Sequence, residues 1–305
     1  MRIGVVAAGG VGGYLGGLMA KDGHEVHFIA RGEHLRSIRE HGLRVTSIDD
    51  DFTVAPASAT DDPRTVGTVD WVLFAVKTYD TDAAIEQMAP LVGPHTSIFT
   101  FQNGVESTDK LAAAFGPEHS VPAPIQIETF IRAPGQIEQR SPFRNIVVGE
   151  LDGSITQRVQ EFARILKKHN LNVVVSTEMP RPIWTKLLFL ASLSGLTTCA
   201  RLPAHDLFKL PEAREALHNA VLEVVQVAAA CGVNLTAEDI ERTEKMSFNL
   251  QPGMTSSMHK DLLNGKRLEI DALNGAIIRL GHARGIPTPV HQTIFACLKP
   301  YANGN

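Results

Sequence analysis

Short apolar runs alternate with helix-length segments through the first half of the chain, and helical periods take over almost completely in the second. Ile3 to Val6 is a short apolar run rich in β-branched residues, followed by the glycines Gly9, Gly10, Gly12, Gly13, Gly16 and Gly17. With Glu25-Val-His-Phe-Ile29 beyond them, they predict a strand, a glycine turn, a helix and a second strand. Glu33 to His41 predicts a helix that stops at Gly42. Val45 to Val54 predicts extended, partly exposed structure, with Asp49-Asp50-Asp51 as a solvated turn. Trp71 to Val76 is an unbroken apolar run of strand length, the pattern of a parallel strand covered on both faces. Helical sequence from Asp82 to Leu91 leads to a further strand, Ser97 to Phe101.

Between Val121 and Gly149, short extended pieces are separated by Pro134-Gly135 and Ser141-Pro142, which predicts added antiparallel strands. Ser154-Ile-Thr-Gln157 has capping-box spacing and opens a helix to about Lys168, and Asn172 to Ser176 reads as a strand. Pro180 and Pro182 then mark a domain junction. Beyond it the pattern predicts helices from Ile183 to about Cys199, Glu212 to Cys231, Ala237 to about Met246, Ser257 to Leu263 and Leu268 to about Arg284. The expected architecture is an α/β Rossmann-type dinucleotide-binding domain over residues 1–179, followed by an all-α domain over residues 180–305.

Composition adds boundaries. The length of 305 residues suits two domains, and the formal charge of −4 gives no reason to expect a nucleic-acid partner. No apolar stretch approaches the roughly eighteen residues of a membrane span; Leu187 to Leu193 reads instead as part of a buried helix. Met1-Arg2 runs directly into the first strand, so a cytoplasmic protein with no membrane association is expected. Cys199, Cys231 and Cys297 are odd in number and widely spaced, which supports neither a disulfide framework nor a metal site; small buried hydrophobes are their expected role.

Candidate chemistry begins in the glycine turn. Laid on G-x-G-x-x-G, its three positions are Ala7, Gly9 and Gly12, so an alanine stands where the first glycine serves the tight turn. The second strand runs on to Arg31, and a basic residue there pairs with a ribose 2′-phosphate, which favours NADPH over NADH. Lys77 and Asn103 follow successive strands at the carboxyl edge where α/β sheets bind ligands, although a solvated lysine and an Asn-Gly turn are the plain alternatives. Lys186, Leu190 and Ser194 recur every four residues and share one helix face. A lysine in so apolar a helix either snorkels to the surface or is held inside by a partner, and Glu269 is a candidate partner. Ser257 is a polar candidate that can also serve as a helix cap, while Asp271 reads as a helix-N-terminal acid.

At these residues the chain resembles the ketopantoate reductase (2-dehydropantoate 2-reductase) family over essentially its whole length. The resemblance is carried by Gly9-Gly-Val-Gly-Gly13, Ala30-Arg31-Gly32, Val76-Lys77-Thr-Tyr-Asp80 and Phe101-Gln-Asn-Gly-Val105. Later it rests on Trp184-Thr-Lys-Leu187, Ser256-Ser-Met258, Leu268-Glu-Ile-Asp271, Asn274-Gly275 and Gly285-Ile-Pro-Thr-Pro289. It implies a C-terminal domain like that of 6-phosphogluconate dehydrogenase, and NADPH-dependent reduction of a 2-keto acid in a cleft between the domains. It further implies NADPH contacts from Ala7, Gly9, Gly10, Val11, Gly12, Arg31, Lys77, Asn103 and Glu269, with Lys186, Glu269 and Asn103 as the catalytic group. Substrate contacts are implied for Lys186, Leu190, Ser194 and Ser257. Four and eight residues after the lysine, the family carries substrate-binding asparagines where this chain has Leu190 and Ser194. That departure opens two further readings: reduction of a different 2-keto acid, or an NADPH-binding regulatory protein without catalysis. The apolar helices of the second domain can cover one another or a second subunit, so a homodimer is a further expectation.

Overall fold

The computed structural model describes residues 1–304. The chain divides into two units, one of residues 1–102 and 107–179, the other of residues 103–106 and 180–305.

In the first unit, β1 (Arg2–Val6), α1 (Gly10–Lys21), β2 (Glu25–Ile29) and α2 (Gly32–His41) follow the expected order. Gly42 ends α2 at a φ of +80°. The extended stretch that follows is two strands, β3 (Leu43–Thr46) and β4 (Asp51–Val54), paired antiparallel, and β5 (Ser58–Thr60) comes next. The acidic run lies at their turn, where Asp49 pairs with Arg144 and Asp50 with Lys21. Then come β6 (Trp71–Phe74), α3 (Thr81–Met88), β7 (Ser97–Thr100), α4 (Ser107–Phe115) and β8 (Ser120–Pro122). The unit closes with β9 (Ile125–Ala133), β10 (Gln136–Val148), α5 (Gln157–Lys167) and β11 (Asn172–Val175).

Six of these strands form one parallel sheet in the order β5-β2-β1-β6-β7-β8. Counted within that sheet, this is the doubly wound order 3-2-1-4-5-6, in which the direction of winding reverses between β1 and β6. β6 and β7 are buried at every position, as their continuous apolar runs predict. A second sheet has the order β11-β10-β3-β4, with β9 added antiparallel to β10. The turn at Pro134-Gly135 makes β9 and β10 a hairpin of two long strands, and the Ser141-Pro142 stretch falls at a shift of register inside β10 rather than at a break.

The second unit is helical: α6 (Pro180–Ala200), α7 (Ala204–Leu207), α8 (Pro211–Ala230), α9 (Ala237–Phe248), α10 (Ser257–Leu263), α11 (Asn274–His282) and α12 (Pro289–Leu298). Among the described residues α6 alone is long and apolar enough to cross a membrane by length and composition, yet its Trp184, Leu187, Leu188, Ala191 and Leu193 are buried in the core of this unit. The helix expected from Leu268 begins only at Asn274. Leu268, Ile270 and Leu273 bury their side chains at a spacing no helix face provides, and the Leu268 N–H is drawn to the Ala302 carbonyl at 2.9 Å. Asp271 is therefore no helix-terminal acid; Lys299 binds both of its carboxylate oxygens, at 2.7 and 2.8 Å. The cysteines also depart from expectation: Cys199 and Cys297 are exposed and Cys231 is half-buried.

A buried polar network ties α6, α8, α11 and α12 together. His291 donates from Nε2 to the Ala220 carbonyl at 3.0 Å and accepts at Nδ1 from Asn274 at 2.9 Å, which fixes a neutral ring. The Asn274 amide also donates to the Ala191 carbonyl at 3.1 Å. Burial pushes the His291 pKa down to about 4, with the Ala220 hydrogen bond opposing. The unfolded chain takes up a proton at this histidine below its ordinary pKa of 6.5 and the folded one does not. Stability is therefore expected to fall as pH drops from about 6.5 toward 4, and to be insensitive to this group above that window. Urea midpoints measured across this range check it; His291→Gln should lose a slope of about one proton, and an unchanged slope contradicts the assignment.

Candidate active site

The glycine turn leaves β1 at the carboxyl edge of the parallel sheet. Ala7 occupies it with a φ of +69°, in the left-handed region that glycine enters freely. The turn thus has the shape its motif requires, with strain from one methyl group. That strain is about 1–2 kcal/mol, and glycine's extra unfolded-state entropy of about 0.4–1 kcal/mol offsets part of it. Ala7→Gly is accordingly expected to stabilise the protein by about 1 kcal/mol, read as a higher urea midpoint at unchanged m-value; a lower midpoint contradicts the strain.

Gly9 is the N-cap of α1, and a Cβ built there meets nothing within 4 Å. Open space beside the N-terminus of a twelve-residue helix, at the point where the sheet reverses its winding, fits a dinucleotide pyrophosphate. A Cβ at Gly12 would lie 2.2 Å from the Ala7 carbonyl oxygen, so the helix closes on the turn only with glycine there. Gly10 also packs closely: a Cβ there would meet the Thr129 carbonyl of β9 at 2.5 Å. Val11, half-buried, packs against the core of the unit.

Arg31 is exposed at the N-cap of α2, two residues past β2. Its guanidinium donates to Gln87 Oε1 on α3 at 2.6 Å, and Gln87 Nε2 donates to the Asp61 carbonyl at 2.9 Å. Gln87 gave no signal in the sequence, since it lies 56 residues from Arg31. Lys77 stands three residues past β6 in extended backbone. The Val76 carbonyl just before it accepts from Gln102 Nε2 at 3.1 Å, and Gln102 is held again by Thr81 Oγ1 at 2.8 Å.

In the second unit Asn103, Lys186 and Glu269 are brought together. The segment 103–106 belongs to this unit rather than to residues 1–179, because its contacts do. Asn103 Nδ2 donates to Glu269 Oε2 at 3.2 Å, Arg279 donates to Glu106 at 2.6 Å, and Val105 packs into the helical core. Glu269 is buried in the turn before α11. Lys186, in the second turn of α6, has its pKa lowered to about 8 by burial, with the Glu269 charge holding it up. An ammonium so tuned stays charged at neutral pH and gives its proton up more readily than an exposed lysine.

Leu190 and Ser194 follow on α6, Leu190 half-buried and Ser194 buried. Ser257 opens α10 with its side chain exposed, and Ser256 is the cap, accepting the His259 N–H at 3.1 Å. Ser257 makes no hydrogen bond to Asn103, Lys186 or Glu269.

A doubly wound unit with a glycine turn, joined in one chain to a helical unit carrying a Lys–Glu pair, is the arrangement of a dinucleotide-dependent oxidoreductase. The family model described as ketopantoate reductase PanE/ApbA matches residues 3–153, and its C-terminal counterpart matches residues 178–302. The 2-dehydropantoate 2-reductase of Mesorhizobium japonicum is 30% identical over 99% of this chain and 98% of its own. That of Caulobacter vibrioides is 30% identical over 98% of this chain and 99% of its own. The crystal structure of a PanE/ApbA family ketopantoate reductase from Ralstonia eutropha JMP134 superimposes with a TM-score of 0.91 at 31% identity, covering 99% of this chain and 98% of that one. The chain belongs to the ketopantoate reductase family, NAD(P)H-dependent oxidoreductases that act on the CH–OH group of a small keto-acid couple.

Proposed function

We propose that this protein reduces a 2-keto acid to its 2-hydroxy acid with NADPH, converting 2-dehydropantoate (ketopantoate) to pantoate, with Lys186 as general acid. The observation that carries the reading is the half-buried Lys186 beside the buried Glu269, itself bound by Asn103. Gly9, Gly10, Val11 and Gly12 with Ala7 would hold the dinucleotide pyrophosphate, Arg31 the 2′-phosphate, and Lys77, Asn103 and Glu269 the remainder. NADPH supplies the hydride when bound. As negative charge grows on the keto oxygen, the Lys186 ammonium stabilises it and passes over its proton, while Glu269 keeps the ammonium charged until then.

A second reading, favoured by Leu190 and Ser194, keeps this chemistry and changes the acid. Leu190 offers no hydrogen bond where the family carries an asparagine, and the Ser194 hydroxyl reaches less far, so a 2-keto acid with an apolar side chain fits better than one bearing a hydroxyl. Loss of NADPH absorbance with a panel of 2-keto acids tests both. The panel includes ketopantoate and the analogue in which its hydroxyl is replaced by hydrogen. Preference for ketopantoate supports the first reading and preference for the analogue the second; tight NADPH binding with no turnover of any acid contradicts both and leaves a binding protein.

A further inference from the structure

His34, in the first turn of α2, joins two segments distant in sequence. Its Nδ1 accepts the Gly135 N–H at 2.9 Å, at the turn of the β9–β10 hairpin. The ring proton of the neutral imidazole is then on Nε2, which donates to the Ala8 carbonyl in the glycine turn at 2.8 Å. The clamp has a second arm, since Ser37 one turn further along α2 donates to the Pro134 carbonyl at 3.0 Å. Ala8 is tied from its other side too, its N–H donating to the Ile29 carbonyl of β2 at 3.0 Å.

The Ala8 carbonyl and the Gly9 N–H belong to one planar trans peptide and point in opposite directions. Holding the carbonyl therefore fixes the aim of the amide at the N-cap of α1, next to the open space at Gly9. We infer that His34 is a positioning residue for the cofactor: through the Ala8 carbonyl it aims the Gly9 N–H at the dinucleotide pyrophosphate. This rests on the dinucleotide reading of the turn. It concerns the part common to NADPH and NADH, so His34 acts on affinity for both, unlike Arg31.

The test is cofactor titration and steady-state kinetics of His34→Phe and His34→Gln beside the wild-type protein. His34→Phe removes the donor and is expected to raise the Kd and KM of NADPH and NADH alike by about five- to tenfold, with kcat at saturating cofactor unchanged. His34→Gln retains an amide donor able to reach the Ala8 carbonyl and is expected to restore most of that affinity. Should His34→Phe fail to fold, His34→Asn, whose amide falls short of that carbonyl, carries the same expectation. Wild-type affinity in the Phe or Asn variant, or a loss confined to NADPH, overturns the role of His34 alone. Failure of the wild-type protein to bind either dinucleotide overturns the cofactor reading, and this role with it.

Discussion

Lys186→Ala is expected to lower kcat for 2-keto acid reduction by about 10²–10⁴-fold while leaving NADPH affinity within a small factor. The size follows from removing both the proton and the positive charge from the site where an oxyanion develops. Water can replace the proton donor but is neither held in place nor charged. The selectivity follows from where Lys186 sits: it is on α6 of the helical unit, whereas the glycine turn and Arg31 belong to the other unit. Titration of NADPH together with single-turnover reduction separates the two effects. Equal turnover in the variant removes Lys186 from the chemistry, and a matching loss of NADPH affinity makes it a cofactor ligand instead.

Arg31→Ala is expected to weaken NADPH by about 10- to 100-fold and to leave NADH nearly unchanged, the range given by about 1.5–3 kcal/mol for a hydrogen-bonded charge pair. Only the 2′-phosphate distinguishes the two cofactors, and Arg31 stands exposed just past β2, where the proposed cofactor site would receive the ribose. The guanidinium is already held by Gln87, which reduces the ordering that phosphate binding requires. Lysine at this position keeps charge but loses the planar fork, so Arg31→Lys should fall between wild type and alanine. Kd values for both dinucleotides check this; equal weakening of the two contradicts a phosphate-specific role.

The parts of the fold that were legible in the sequence are those decided locally. Apolar runs bounded by glycine and proline give β1, β6 and β7, and helical periods give α6, α8 and α9, although α6 opens at Pro180 rather than at the expected Ile183. What was not legible depends on contacts across long separations. Asn103 reads as an Asn-Gly turn after a strand, but its partner Glu269 lies 166 residues away and draws the segment into the helical unit. His34 reads as one more polar position on an exposed helix until Gly135, 101 residues on, supplies its donor. Leu268 to Leu273 has helical composition, yet burial of the three successive residues Leu268, Glu269 and Ile270 and the pull of Ala302 keep it a turn.

Ala7 shows the converse. As a letter in a motif it is a departure, and as a backbone angle of +69° it is the conformation the motif calls for. Side-chain chemistry and main-chain shape are separate requirements at that position, and only the second is essential to the turn. At Leu190 and Ser194 no such substitution of shape for chemistry is available, because a hydrogen bond to substrate needs a polar atom. The proposed choice of acid therefore rests on those two side chains and the proposed chemistry on Lys186.

The most direct test of the central claim is the pH dependence of kcat/KM for 2-keto acid reduction in the wild-type protein and in Lys186→Ala. With Lys186 as the proposed proton donor, reduction needs the ammonium, so the wild-type value is expected to hold steady at neutral pH and to fall as pH rises through about 8, the value to which burial brings Lys186. The residual activity of Lys186→Ala should lack that limb. A wild-type profile with no fall through that pH, or the same limb in both proteins, would contradict proton donation by Lys186.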